Sequence, residues 1–196
     1  SDLGFYPALA AMCVGAVLTA ISAAMRRLPS LWPIPWHAFG AFYVGASALA
    51  IVTMRQMPHG AAVIGALFVA IWTADTGALF FGRVLGGPKL APVLSPNKTW
   101  SGFLGGTLSA GAAEAIYFAI LDEAALYGFC LGIFLAAVGH CGDLFESWVK
   151  RQFRAKNTGS LIPGHGGMLD RIDSLLFAAP ALAAIIVFQP IREFPL

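Results

Sequence analysis

"ALYGFCLGIFLAAVGHCGDLFESWV", residues 125–149, changes character part-way along. From Ala125 to Val138 it holds no charged side chain; from His140 onward it carries His140, Asp143 and Glu146, and Lys150 follows. About 20 mainly apolar residues suffice to cross a hydrocarbon core of about 30 Å. The stretch therefore predicts a helix that spans a membrane and emerges at its C-terminal end. Asp143, Glu146, Ser147 and Lys150 stand at i, i+3, i+4 and i+7, so a helix puts all four on one face. On a soluble helix this would be a solvated stripe. At the end of an apolar span it predicts a site that ions and water reach. Gly139 and Gly142 predict close approach of a second backbone. His140, three residues before Asp143, either hydrogen-bonds it or packs as a neutral ring.

Working outward, the whole chain supports a lipid setting. It has 196 residues, 58% hydrophobic and 11% charged, with mean hydropathy +0.76. Soluble domains carry about 25% charged residues, so most of this surface is predicted not to meet water. Six candidate spans follow, at about 5–25, 37–54, 60–81, 103–121, 125–149 and 174–191. Runs such as "GGTLSAGAAEA" (105–115) supply the small residues that let helices approach in lipid. Strand-type alternation is absent, which argues against a barrel. The fold expected is all-α, a polytopic bundle of about six transmembrane helices with no β-sheet, forming one domain over 1–196. Cys13, Cys130 and Cys141 lack metal-ligand spacing and are expected as buried thiols.

The basic residues orient the bundle. With the loop after the third span on the cytoplasmic side, Arg26, Arg27, Arg83, Lys89, Lys98, Lys150, Arg151, Arg154, Lys156 and Arg171 share that side, and only Arg55 and Arg192 oppose them. This layout leaves the N-terminus outside the cytoplasm and predicts a missing upstream portion. Two polar, Gly- and Pro-containing loops, 82–102 and 150–173, are then cytoplasmic and are expected to be functional.

Several residues in or beside these loops carry chemistry. Asp75 lies inside the third span, where a carboxylate costs about 2.5–3.5 kcal/mol on insertion scales; it must face a partner, a cation or water. Glu114, among alanines in the fourth span, reads as a structural acid. Asp170, Asp173 and Ser174 repeat the i, i+3, i+4 pattern at the entrance of the last span. Asp143 and Asp170 thus supply carboxylates from two helices, suitable for Mg²⁺, which takes one or two carboxylates and leaves positions for water and phosphate. Paired aspartates also occur in cation transporters. Gly166 and Gly167, in "PGHGG", allow backbone N–H groups to close on phosphate oxygens, and Lys156 and Arg171 neutralise phosphate charge. No Walker-type P-loop motif is present.

"SWVKRQFRAKNTGSLIPGHGGMLDRIDS" (147–174) resembles the signature of CDP-diacylglycerol synthases, also called phosphatidate cytidylyltransferases: S-x-x-K-R-x4-K-D-x-G-x-x-x-P-G-H-G-G-x-x-D-R-x-D. "ADTGALFFGR" (74–83), "KLAPVLSPNKTWSG" (89–102) and "GDLFES" (142–147) resemble the family's other segments in the same order, so the resemblance covers about 70–175. It implies the reaction of CTP with phosphatidate to give CDP-diacylglycerol and pyrophosphate, with Mg²⁺ and a second, monovalent cation such as K⁺. It implies metal binding by Asp143, Asp170 and, where the family has Asp, Asn157. His165, Lys156 and Asp173 join the two aspartates as catalytic residues; Lys98, Lys150, Arg151, Arg171, Gly166, Gly167, Ser147 and Asp75 are the substrate-binding set. Asn157 keeps an oxygen ligand but loses the charge, and Ser101 stands where many members have Glu. The partners implied are CTP, phosphatidate in the inner leaflet, the lipid bilayer and a second copy in a homodimer; nucleic acid is not among them. The location implied is the bacterial inner membrane, with the site facing the cytoplasm. The competing readings are an intramembrane cation or proton transporter using Asp75, Glu114, Asp143 and Asp170 as a relay, a related CTP-using lipid kinase, and a non-catalytic relative.

Overall fold

The computed structural model describes residues 13–15, 17–19, 21, 33–155, 167 and 169–188. Five long helices lie among the described residues: α1 (Pro33–Gln56), α2 (Gly60–Val84), α3 (Trp100–Ile120), α4 (Ala125–Gln152) and α5 (Asp173–Phe188). A two-stranded ribbon, β1 (Lys89–Ala91) and β2 (Ser95–Thr99), separates α2 from α3, and a 3₁₀ turn over Leu169–Arg171 precedes α5. The segments Ala38–Gln56, α2, α3 and α4 are long and apolar enough to cross a membrane, as an integral membrane protein requires. At the predicted last span the described helix, α5, is 16 residues long, below the length of a span, and the predicted first span falls mostly outside the described residues.

Helices pack in chain order: α2 along α3, α3 along α4, α4 along α5, with α1 returning to lie on α5. Small residues set these crossings. A Cβ at Gly106 would lie 2.5 Å from the Ala74 carbonyl oxygen, and one at Gly132 would lie 2.5 Å from that of Ala110. Neither position has room for a side chain, so the backbones meet directly, as expected where helix association relies on close packing. The core formed by Val63, Leu67, Phe118, Leu135 and Leu182 is buried. Trp72, Phe80, Leu108, Ile116 and Ile120 point outward, an arrangement that suits a lipid environment. The three cysteines also lie on the outside, which corrects the expectation that they are buried. In lipid, apolar and outward are compatible, so hydropathy does not identify the interior.

The ribbon corrects the expectation of no β-sheet. Lys89 faces Thr99 and Ala91 faces Ser95 in antiparallel register, with an irregularity between Lys89 and Ala91. Pro88, Pro92 and Pro96 disfavour a helix here, and Gly86 and Gly87 turn the chain at φ +60° and +107°. Freed backbone groups then pair across the hairpin. Strands of three and five residues, the first flanked and the second interrupted by proline, are too short to show alternation.

Candidate active site

The site begins with the junction of ribbon and helix. Thr99 caps α3, its hydroxyl accepting a 3.1 Å hydrogen bond from the Gly102 amide. The Trp100 amide donates to the Pro88 carbonyl at 3.1 Å. Ser101, where many members of the resembled family have Glu, donates from Oγ to the Gly86 carbonyl. These bonds tie both ends of the ribbon together and hold Lys98 immediately before α3. Its ammonium forms an ion pair with Asp143 of α4. That pair brings the end of α4, which leads into the second predicted loop, beside the ribbon; residues 156–166 and 168 of that loop lie outside the described residues.

A cavity of about 620 Å³ opens between the ribbon, the last turns of α2, the first turns of α3, and α4. Asp75, Lys98, Asp143 and His140 line it. Asp75 is exposed to this space rather than packed among apolar side chains, as its position in a span required. His140 is buried against Phe103, with ring centroids 5.2 Å apart, so it packs as a ring.

A second cluster lies further along the same face of α4. The Lys150 ammonium donates to Asp170 Oδ1 at 2.8 Å and to Glu146 Oε2 at 3.2 Å. The Gly167 amide donates to Asp170 Oδ2 at 2.8 Å. Glycine positions this cluster as well: a Cβ at Gly142 would lie 2.8 Å from the Asp173 carbonyl oxygen, so α5 starts against α4 only because that position is bare. Gly139 likewise faces Ile71 and Ser174. Both glycines therefore do what their spacing predicted.

Asp173 links the two clusters. Its Oδ1 accepts from the Ser174 amide at 2.7 Å, and it feels the charges of Asp143 and Glu146. Burial raises the Asp173 pKa above the usual carboxylate range; repulsion from Asp143 and Glu146 adds to the shift. Among the described residues no three His, Cys, Asp or Glu side chains form a ready metal cage. Crowded acids nevertheless fit a hard cation. Asp143, Glu146 and Asp173 concentrate negative charge, and buried Glu146 Oε1 has no hydrogen-bond partner among the described residues. Mg²⁺ needs only one or two such carboxylates when phosphate and water complete its shell. Asp143 and Asp170 each hold a different lysine, so the predicted metal pair lies at one end of the bundle but in two separate contacts.

Of the other predicted residues, Ser147 is half-buried beside Glu146, and Arg151 and Arg171 are exposed. Lys156, Asn157, His165 and Gly166 lie outside the described residues. Sequence reasoning put Glu146 on the face but assigned it no role; its place between Asp143 and Lys150 was the available signal. Arg83 and Lys89 also line the cavity and had been counted only as membrane-side charges. Glu114 is fully buried. It lies against Gly132 of α4 and is not among the residues that line the cavity with Asp75 and Asp143.

A model of the cytidylyltransferase family matches residues 4–189. The chain is 49% identical over 149 residues to a phosphatidate cytidylyltransferase of Brucella suis biovar 1, covering 75% of this chain and 55% of that protein. It is 41% identical over 145 residues to one of Bacillus subtilis, covering 72% and 54%. A Staphylococcus saprophyticus relative of the same name is 40% identical over 147 residues, covering 74% and 56%. The chain thus spans about half the length of the curated relatives it matches.

Proposed function

We proceed from the fact that this chain belongs to the cytidylyltransferase family, and we propose that it carries the catalytic part of a membrane phosphatidate cytidylyltransferase. The observation that carries this reading is the single face of α4 that presents Asp143 to Lys98 and a cavity, and Lys150 to Asp170. Carboxylates and ammonium groups alternate there at the end of a bundle built for lipid. Such a face suits a reaction that brings two phosphate-bearing substrates together.

In the reaction proposed, an anionic oxygen of phosphatidate attacks the α-phosphorus of CTP. A new P–O bond forms, the bond to the bridging oxygen of the β-phosphate breaks, and pyrophosphate leaves with that electron pair. The nucleophile is already ionised, so no strong general base is required. Lys98, Lys150, Arg151, Lys156 and Arg171 offset phosphate charge and the Gly166 amide adds a hydrogen bond, while the Gly167 amide, taken up by Asp170 Oδ2, serves by orienting that carboxylate. Asp143 and Asp170, with Asn157 and Asp173, hold the cations; bound Mg²⁺ supplies neutralisation of the triphosphate. The same carboxylates would hold a monovalent ion such as K⁺ beside it. His165 orients a phosphate or donates a proton to the leaving group. Ser147 and Asp75 complete the substrate-binding set, and in-line placement supplies much of the rate.

The wider setting follows from the same reading. The chain has about six spans, sits in the bacterial inner membrane with this end toward the cytoplasm, and pairs as a homodimer. CTP arrives from the aqueous side and phosphatidate from the inner leaflet. The excess of basic residues at this end supports that orientation.

The test is transfer of radiolabel from CTP into lipid, measured in phosphatidate–detergent micelles with and without Mg²⁺, for this chain and for Asn157→Asp. Label in the lipid phase that depends on both phosphatidate and Mg²⁺ is expected, with a higher rate for Asn157→Asp. No lipid-bound label from either protein at any Mg²⁺ concentration would refute the proposal.

A further inference from the structure

Arg83 and Lys89 line the cavity beside the ribbon, and the charges within that cavity are unevenly matched. Lys98 is paired with Asp143, and Asp75 lies close enough to feel both. Arg83 and Lys89 are exposed and have no carboxylate within ion-pair distance among the described residues. The cavity therefore has a region near Asp143 where opposite charges offset one another, and two further cations that no carboxylate among the described residues offsets.

These cations stand where the protein passes out of its apolar belt. Arg83 is in the last turn of α2, one residue before that candidate span ends. Lys89 opens the ribbon that leads to Trp100, the first residue of the next span. Large apolar side chains surround them and face outward: Val84 is 65% exposed, Leu85 67%, Val93 86% and Trp100 47%. Val84 and Trp100 continue the outward-facing apolar surface of α2 and α3, so this side of the cavity adjoins the lipid belt. An apolar rim with basic residues is the composition of a surface seated among lipid headgroups. A phosphomonoester there carries about −1.5 to −2 charges, which matches two unpaired cations.

Resting on the proposed function, we infer that Arg83 and Lys89 receive the phosphomonoester of the lipid substrate as it enters the cavity from the bilayer. Val84, Leu85, Val93 and Trp100 contact its glycerol and acyl region. The nucleotide's phosphates then belong to the other group of basic residues, around Lys150, Arg151 and Arg171. The two polyanions approach Asp143 from different sides, each with its own cations.

Native mass spectrometry of the detergent-purified chain, offered equal phosphatidate and phosphatidylglycerol, reads lipid retention without requiring turnover. Calorimetry with CTP and Mg²⁺ reads the nucleotide. The wild type should retain phosphatidate in preference to the phosphodiester. Arg83→Gln combined with Lys89→Gln should lower phosphatidate retention about tenfold or more, leaving CTP affinity within about twofold. Arg83→Lys combined with Lys89→Arg keeps the charges and should restore retention, separating charge from folding. Glycerol 3-phosphate, which lacks acyl chains, should not displace the lipid; equal competition would overturn the lipid assignment in favour of a free-phosphate site. Unchanged phosphatidate retention, or a selective loss of CTP affinity, would overturn the inference. Retention that depends on Arg83 and Lys89 without label transfer would uphold it while removing the proposed activity.

Discussion

Two ion-paired clusters share one face of α4, and they differ in what lies beside them. Asp143 and Lys98 border a cavity of about 620 Å³, with side-chain exposures of 28% and 22%. Lys150, Glu146 and Asp170 close on one another, at 17%, 7% and 15%. The first pair joins residues 45 positions apart on either side of a space large enough for a ligand. The second joins α4 to the turn that starts α5. Sequence spacing alone makes these acids look equivalent. Surroundings divide them: the cavity pair borders open space, while the closed cluster fastens two helices together.

The largest expected effect breaks this comparison on the cavity side. Asp143→Ala should lower CTP-to-lipid transfer by roughly 10²–10³-fold, the size seen when one preorganised electrostatic contact is removed. Its effect on stability should be small, because the site is partly hydrated. Initial rates and a detergent-denaturation midpoint on the same preparation check both halves. A large stability loss with little change in rate would reverse the roles assigned to the two clusters.

Next comes Lys150→Met, which leaves Glu146 and Asp170 without their ammonium. Removing one partner of a largely buried pair costs about 3 kcal/mol, whereas Lys98→Met should cost less, because the Asp143 carboxylate it leaves behind is 28% exposed at the cavity even though the Lys98 ammonium is buried. The difference between the two denaturation midpoints sharpens the comparison. Equal losses would mean that the cavity does not hydrate the Lys98–Asp143 pair.

How much of this was legible in the sequence depends on the physical signal each feature leaves. Four spans were legible because lipid demands long apolar runs, and the polar face of α4 was legible because helical spacing is rigid. Gly139 and Gly142 could be read as contact points because a bare residue in a helix needs a reason. The ribbon was not legible: its hydrogen bonds are backbone–backbone and its proline-broken strands show no period. Nor was the split between Asp143 and Asp170. Which lysine each carboxylate holds is decided by where Thr99 caps α3 and by how closely α5 meets Gly142, and both are tertiary facts. Arg83 and Lys89 were visible only as charges, since a cavity wall has no signature in linear order.

Gly142→Ala tests the closed cluster through its backbone. The new methyl would lie 2.8 Å from the Asp173 carbonyl oxygen, so α5 must move. Overpacking of this kind costs about 1–3 kcal/mol. Transfer should fall as well, because Asp173 and Asp170 move with α5, whereas the Lys98–Asp143 contact has no part in the displacement. A variant with normal stability and normal rate would show that the approach of α5 is not set at this residue.

The smallest effect concerns protons at the junction of the clusters. Asp173 binds its proton more tightly in the folded protein, chiefly through burial and then through repulsion from Asp143. The folded state therefore holds more protons than the unfolded one between the ordinary carboxylate range and the raised value. Stability must fall as pH rises through that window. In chelator-treated protein the thermal midpoint should drop with rising pH, and Asp173→Asn, which cannot ionise, should flatten the slope. Added Mg²⁺ should recover most of the loss at the higher pH in the wild type and little in the variant, because only an ionised carboxylate presents the charge that the cation offsets. A slope unchanged by Asp173→Asn would move the titrating group elsewhere in the cluster and leave Asp173 as an acceptor for the Ser174 amide alone.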